Sequence, residues 1–318
     1  MNPTLNSITE QFGFWRQAKM PAPMNDHKTP RIVVGCGTSY NLALSVASAM
    51  NAAGYMTIAV PAGEWVVRPE AYLPPDTKPQ VIALSRSGET TETVHAAEAS
   101  RERGLNVIGI TCAPGSALST ASHQAIEFET HPDEGIVMTA SASLMLLAGY
   151  ALAGLVIDAQ LADRAEALVT AIAAIPTSAY ADRTHFVFLG GGANYGVALE
   201  GALKLQEMAI CYTQGFHPGE YRHGPVSLVD DRTAVVMIYH PDTHAEEEVL
   251  VAELQAKGAW VLGLGGPGDV ALDVGSPGDL SGAEALPALQ LLGEHYALAH
   301  GIDTTAPRHL TKVVMLDT

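Results

Sequence analysis

The chain repeats itself once, and that repeat restricts the folds open to it. Val34-Gly-Cys-Gly-Thr-Ser-Tyr-Asn-Leu-Ala-Leu44 lies over Leu189-Gly-Gly-Gly-Ala-Asn-Tyr-Gly-Val-Ala-Leu199. The first glycines stand at 35 and 190, about half of the 318 residues apart, and Gly, Gly, Tyr, Ala and Leu coincide. Each copy follows a β-rich run, Arg31-Ile-Val-Val34 or His185-Phe-Val-Phe-Leu189, and leads into an Ala-rich helical stretch, residues 40–53 or 197–210. Val81-Ile-Ala-Leu84, Val107-Ile-Gly-Ile110, Ala234-Val-Val-Met-Ile238 and Trp260-Val-Leu-Gly263 read as further strands, with a helix running to about residue 103. Strands that alternate with helices need crossover connections and build parallel sheets covered on both faces. The expected class is therefore α/β, as two similar three-layer αβα domains with parallel sheets. The expected boundaries are a helical segment at 1–24, a first domain at 25–159, a linker helix at 160–175, a second domain at 176–306 and a tail at 307–318. The Gly- and Pro-rich segment 265–282 reads as a surface loop.

Composition narrows the partners. Lys and Arg number 17 against 34 Asp and Glu, a net charge of −17, which argues against nucleic acid or an anionic membrane, since both reward clusters of Lys and Arg. An apolar content of 47% is ample for packed cores. The three cysteines (Cys36, Cys112, Cys211) form no Cys-x-x-Cys pair, so a disulfide framework or zinc ribbon is not expected and a reducing cytoplasm fits. Residues 1–19 lack the apolar core of a signal peptide. Residues 136–157 carry no charge and could span a bilayer by length. Their wealth of Ala, Gly, Ser and Thr, with no flanking Lys or Arg, instead suggests a buried helix at a subunit interface.

The turns point to an anion. A Gly-rich strand-to-helix turn presents backbone N–H groups and the positive end of the helix dipole. The third glycine of a dinucleotide fingerprint is replaced by Tyr40 and Tyr195, and no P-loop occurs, so neither cofactor class is expected. Ser85-Arg-Ser-Gly-Glu-Thr90 brings three hydroxyls, those of Ser85, Ser87 and Thr90, to one helix start, with Thr38 and Ser39 on the first turn. Helix capping would account for one hydroxyl, whereas a compact phosphate monoester would engage several.

Acid–base groups follow in the second half. Glu200, Lys204 and Glu207 share one helix face, flanked by Ala198, Leu199, Leu203, Leu205 and Met208, so a buried carboxylate with proton-transfer capacity is expected there. His223 stands in a turn, between Arg222 and Gly224-Pro225, although a lone histidine is more often a bystander. No His or Cys spacing suggests a metal site.

Five motifs stand in order: Cys36-Gly-Thr-Ser39, Ser85-x-Ser-Gly-Glu-Thr90, Glu200-Gly-Ala-Leu-Lys-Leu-x-Glu207, Gly219-Glu-x-x-His-Gly-Pro225 and Pro307-Arg-x-Leu-x-Lys312. With them the chain, from about residue 25 onward, resembles the double sugar-isomerase (SIS) domain family. That family includes the isomerase half of glutamine–fructose-6-phosphate aminotransferase and stand-alone glucosamine-6-phosphate deaminases. The resemblance implies a duplicated, flavodoxin-like fold and a phosphosugar substrate, with no metal or other cofactor. It implies that Ser39, Ser85, Ser87 and Thr90 hold the phosphate, with Arg86 (where the family usually has Gln) adding a contact, and that Thr38 and Thr139 touch the substrate. Glu207 would shuttle a proton between C1 and C2, Lys204 would stabilise the developing negative charge, and Lys312 would close over the substrate from the tail. His223 would open the sugar ring from the partner subunit of a homodimer.

Two departures shape the expected activity. The aminotransferase opens with a nucleophilic Cys and a glutaminase domain, whereas here Asn2 follows Met1. Glutamine is thus not the expected ammonia source, and isomerisation or ammonia release is favoured over synthesis. Ser141 stands where relatives often carry a cation. The expected activity is conversion of glucosamine-6-phosphate to fructose-6-phosphate and ammonia. The alternatives are a fructosamine-6-phosphate deglycase and a non-catalytic sugar-phosphate sensor; a sensor would be expected to carry a binding extension and to lack Glu207.

Overall fold

A computed structural model describes residues 2–316, so positions 1, 317 and 318 of the terminal segments lie outside the described residues. The chain forms two compact units, one of residues 13–158 with the tail from 311, the other of the residues up to 12 with 159–310.

The unit of residues 13–158 holds β1 (Arg31–Gly35), β2 (Thr57–Pro61), β3 (Gln80–Leu84), β4 (Val107–Thr111) and β5 (Gln124–Glu127) in the order β2-β1-β3-β4-β5, with every pair parallel. The other unit holds β6 (His185–Gly190), β7 (Tyr212–Phe216), β8 (Thr233–Ile238), β9 (Trp260–Leu264) and β10 (Val270–Leu272) in the order β10-β9-β8-β6-β7, again all parallel. Renumbered from its own first strand, the second sheet has the order of the first. Two three-layer αβα domains with parallel sheets are therefore present, as the repeat requires.

Burial explains which strands could be read in advance. β1, β4, β8 and β9 are buried at every residue, as strands covered on both faces must be, and appear as continuous apolar runs. β2, β5, β7 and β10 are the outer strands of the two sheets, with mixed burial, and were not among the runs read as strands. β10 corrects the expectation of a loop over 265–282: three residues pair with β9, and from Leu280 the chain enters the helix Leu280–Ala299. The segment read as a linker helix is helical over Leu161–Ala173, with Leu161, Ala165, Leu168, Val169 and Ile172 buried.

The uncharged stretch 136–157 folds into the helix Ala140–Ala153, all of whose residues are buried. No described helix is long and apolar enough to cross a membrane. The chain itself covers this helix, so its apolarity gives no argument for a second subunit, and that reason for expecting an interface is corrected. Part of the cover is the helix Thr38–Ala52, which approaches so closely that a Cβ on Gly149 would stand 2.3 Å from Val46 Cγ2.

The repeat holds at the level of atoms. A Cβ on Gly35 would stand 2.6 Å from the carbonyl oxygen of Ser39, and one on Gly190 would stand 2.5 Å from that of Asn194. Gly37 and Gly192 adopt φ +54° and +56°. Because the obstructing atoms are backbone, Gly35→Ala and Gly190→Ala are each expected to destabilise their unit by about 1–3 kcal/mol. Denaturant titration checks this, with Gly13→Ala, a helical position with nothing within 4 Å of the new Cβ, as the control expected to lose no stability.

Candidate active site

In a sheet of order 2-1-3-4-5 the strand direction of winding reverses between the first and third strands, and ligands favour the crevice outside the carboxyl ends there. The turns after β1 and β3 flank that point, and they carry the hydroxyls singled out from the sequence. Thr38 and Ser39 are buried at the start of the helix Thr38–Ala52. After β3, Ser85 Oγ accepts the Gly88 N–H at 3.2 Å and lies 3.4 Å from Thr90 Oγ1, while Ser87 Oγ accepts the Glu89 N–H at 3.1 Å. The turn depends on Gly88, which has φ +64° and where a Cβ would meet Ser116 Oγ at 1.9 Å. Thr90, the N-cap of the helix Thr91–Glu102, makes no side-chain capping bond. Simple capping therefore does not account for its hydroxyl.

Beside this turn lies a cavity of about 660 Å³ whose lining includes Arg86, Ser87, Cys112, His131, Glu134 and Lys312. Burial pushes the Cys112 thiol up, so it carries no ready thiolate. The Arg86 guanidinium is buried and donates to the carbonyls of Gly135 (3.0 Å) and Lys312 (2.7 Å). Lys312 Nζ donates to the carbonyl of Glu134 at 2.8 Å.

Glu134 was not singled out from the sequence. Its buried Oε1 accepts from the backbone N–H of Thr139 (2.5 Å) and of Ser141 (3.1 Å), and from the hydroxyls of Thr139 (3.2 Å) and Ser141 (2.8 Å). It thereby caps the helix Ala140–Ala153, where a carboxylate is favoured. Thr139 and Ser141 are both bound to this carboxylate. No motif could have revealed it, because the contact depends on how residues 134–139 bend back.

The acid–base residues lie in the other unit, on the helix Asn194–Ala209. Lys204 and Glu200 are wholly buried, while the Glu207 side chain retains 21% exposure. Lys204 Nζ stands 3.2 Å from Glu200 Oε1 and donates to Glu207 Oε2. Burial opposes the lysine charge, but the two carboxylates outweigh it and raise the pKa above its ordinary value, so Lys204 is a fixed cation. A cavity of about 280 Å³ adjoins Glu207, lined also by Leu203, Gln206, Ile210, Arg308 and His309. The face predicted by i, i+4 and i+3 spacing is thus present, with two members sealed and one open.

His223 sits on an exposed turn after the short helix Pro218–Tyr221, its N–H bonded to the Glu220 carbonyl at 3.0 Å. Arg222, next to it, forms a two-point pair with Glu253 at 3.0 and 3.3 Å. His217 stacks on Tyr195 at 3.8 Å between ring centroids, and burial lowers its pKa. Among the described residues no group of three His, Cys, Asp or Glu side chains is placed to hold a metal.

The second unit has the corresponding turns after β6 and β8, and they are chemically different. The buried Glu247 accepts from the His240 N–H (2.8 Å) and the Thr243 hydroxyl (2.8 Å), and Asp279 Oδ1 lies 3.7 Å from His240 Nε2. Two carboxylates, Glu247 and Asp279, thus flank the turn after β8.

The SIS domain matches residues 26–155 and 179–272. A glutamine–fructose-6-phosphate aminotransferase of Pyrobaculum aerophilum is 31% identical over 90% of the chain and 51% of its own length. The chain spans about half the length of the relatives of this kind that it matches. A solved glucosamine-6-phosphate deaminase of Thermotoga maritima superposes with a TM-score of 0.83 at 30% identity, covering 99% of this chain and 100% of that one. A tagatose-6-phosphate ketose/aldose isomerase of Escherichia coli shares the fold, with a TM-score of 0.81 at 23% identity over 99% and 96% of the two chains.

Proposed function

The chain belongs to the SIS domain family, and from that premise we propose that it is a phosphosugar aldose–ketose isomerase that deaminates glucosamine-6-phosphate. The observation that carries the reading is a buried cation, Lys204, held between a sealed carboxylate, Glu200, and an open one, Glu207, beside a cavity. Moving a proton between adjacent carbons needs one carboxylate within reach of both, and the oxyanion that forms needs a nearby positive charge.

The reaction balances as follows. His223 assists opening of the sugar ring to the aldehyde. Glu207 removes the C2 proton, and the electron pair moves through C1 to the carbonyl oxygen, giving an enolamine whose charge Lys204 stabilises. Glu207 returns the proton to C1, leaving an imine at C2. Water adds to that imine and ammonia leaves, giving fructose-6-phosphate. Ser39, Ser85, Ser87 and Thr90 hold the phosphate, with Thr38 and Thr139 completing the binding set. The carboxylates around His240 disfavour a second phosphate, so one sugar phosphate binds per chain. The likeness to the Thermotoga maritima deaminase along its whole length supports ammonia release over plain isomerisation.

A coupled assay tests this. Glucosamine-6-phosphate is expected to yield ammonia and fructose-6-phosphate in equal amounts. Release of an amino acid from a fructosamine-6-phosphate adduct, with no ammonia from the amino sugar, would identify a deglycase instead. We further propose that the enzyme works in the cytoplasm as a homodimer, with the exposed His223 serving the partner's site. Light scattering is expected to show the dimer, and a fully active monomer would refute it.

A further inference from the structure

We propose that Arg86 is a positioning residue that clasps the C-terminal tail and so places Lys312, and is not a ligand of the substrate phosphate. This rests on the reading of Lys312 as part of the reaction machinery, but the clasp itself is a matter of geometry. Arg86 keeps only 8% of its surface exposed, and its fork donates to two carbonyls on separate segments, Gly135 and Lys312. The hold is reciprocal, because Lys312 Nζ donates to the carbonyl of Glu134, the neighbour of Gly135. A planar guanidinium can serve two acceptors in one rigid fork, which a lysine ammonium or a glutamine amide cannot do over the same span.

The described residues of the tail have few other anchors. Residues 311–316 form no helix or strand, and all but Val313 are exposed. Further along, the Thr91 N–H donates to the Val314 carbonyl at 3.4 Å and the Leu316 N–H to Thr91 Oγ1 at 3.0 Å. Segments kept in place by a few hydrogen bonds and almost no buried apolar area open readily when one bond is removed.

The full chain, with Arg86→Gln and Arg86→Lys, tests the clasp by limited trypsin cleavage. The carbonyl of the Lys312–Val313 bond is the one Arg86 holds, and the side chain trypsin must take up is bonded to Glu134. The exposed Arg308–His309 bond is an internal reference. In the wild type, cleavage after Lys312 is expected to lag behind cleavage after Arg308. Both variants are expected to speed the Lys312 cut about tenfold relative to the Arg308 cut. They are also expected to lower kcat about tenfold or more while the Kd for inorganic phosphate changes less than about twofold. Arg86→Lys separates the roles, since a phosphate contact would survive as a point charge while the two-carbonyl clasp would not. Lys312 cleaved as fast as Arg308 in the wild type, unchanged relative cleavage in either variant, or weakened phosphate binding would each overturn the proposal. Cleavage needs no turnover, so a chain that deaminates nothing would refute the proposed function and leave the clasp to be judged by the tail alone.

Discussion

Glu207→Gln is expected to lower turnover of glucosamine-6-phosphate by about 10²–10⁴-fold while binding of inorganic phosphate is unchanged. The change removes a proton acceptor and keeps the shape. Glu207 is the one carboxylate of the helix-face triad with solvent access, at 21% side-chain exposure, and its Oε2 receives a proton donor bond from Lys204. The amide can still accept that bond, so Lys204 should remain in place. Exchange of the C2 proton in heavy water, measured together with ammonia release, isolates the step. If Glu207→Gln retains solvent exchange at C2 at the wild-type rate, Glu207 is not the base and the mechanism fails. If exchange and phosphate binding are both lost, the substitution has damaged the fold, and circular dichroism would report it.

Lys204→Met should unfold the second unit more readily by about 3–5 kcal/mol, the usual cost of breaking a buried ion pair by removing one partner. The reason is Glu200, whose side chain is wholly buried 3.2 Å from the lysine nitrogen. Without the cation, Glu200 must either stay charged in a buried setting or take up a proton. Adding Glu200→Gln removes the stranded charge, so the double variant is expected to recover much of the stability and none of the activity. Recovery of activity would deny Lys204 its chemical role. The sign of the pH dependence follows from the raised lysine value. The ammonium's contribution is fully present below the ordinary lysine pKa of 10.5 and is lost as pH rises through the higher folded-state value. In wild type the loss therefore appears only on the alkaline side, and the Lys204→Met variant should lack that part of the alkaline transition.

How much of this could be read from the chain itself differs between the helix face and the hydroxyl-rich turn. The acid–base face was legible because an α-helix brings positions i, i+4 and i+7 together by its own geometry, and only Glu200, Lys204 and Glu207 had to be found at that spacing. The turn after β3 was legible as a cluster of hydroxyls within six residues, with Gly88 holding the turn. The fate of Arg86 was not legible, because its acceptors lie 49 and 226 positions away. The partner of Arg222 was not legible either, since Glu253 lies 31 positions on.

By itself the sequence determined what depends on neighbours: the duplicated strand–turn–helix unit, the glycines each turn requires, the buried central strands and the helix face with its three charges. Only the tertiary structure decided which strands close the sheets, that Glu134 holds Thr139 and Ser141, that the uncharged helix is covered by its own chain, and where the cations end up. Spacing along a regular element fixes short distances whatever the rest of the chain does. A guanidinium or carboxylate on a long side chain takes the best acceptor or donor that folding brings within about 3 Å, and that choice exists only once distant segments have met.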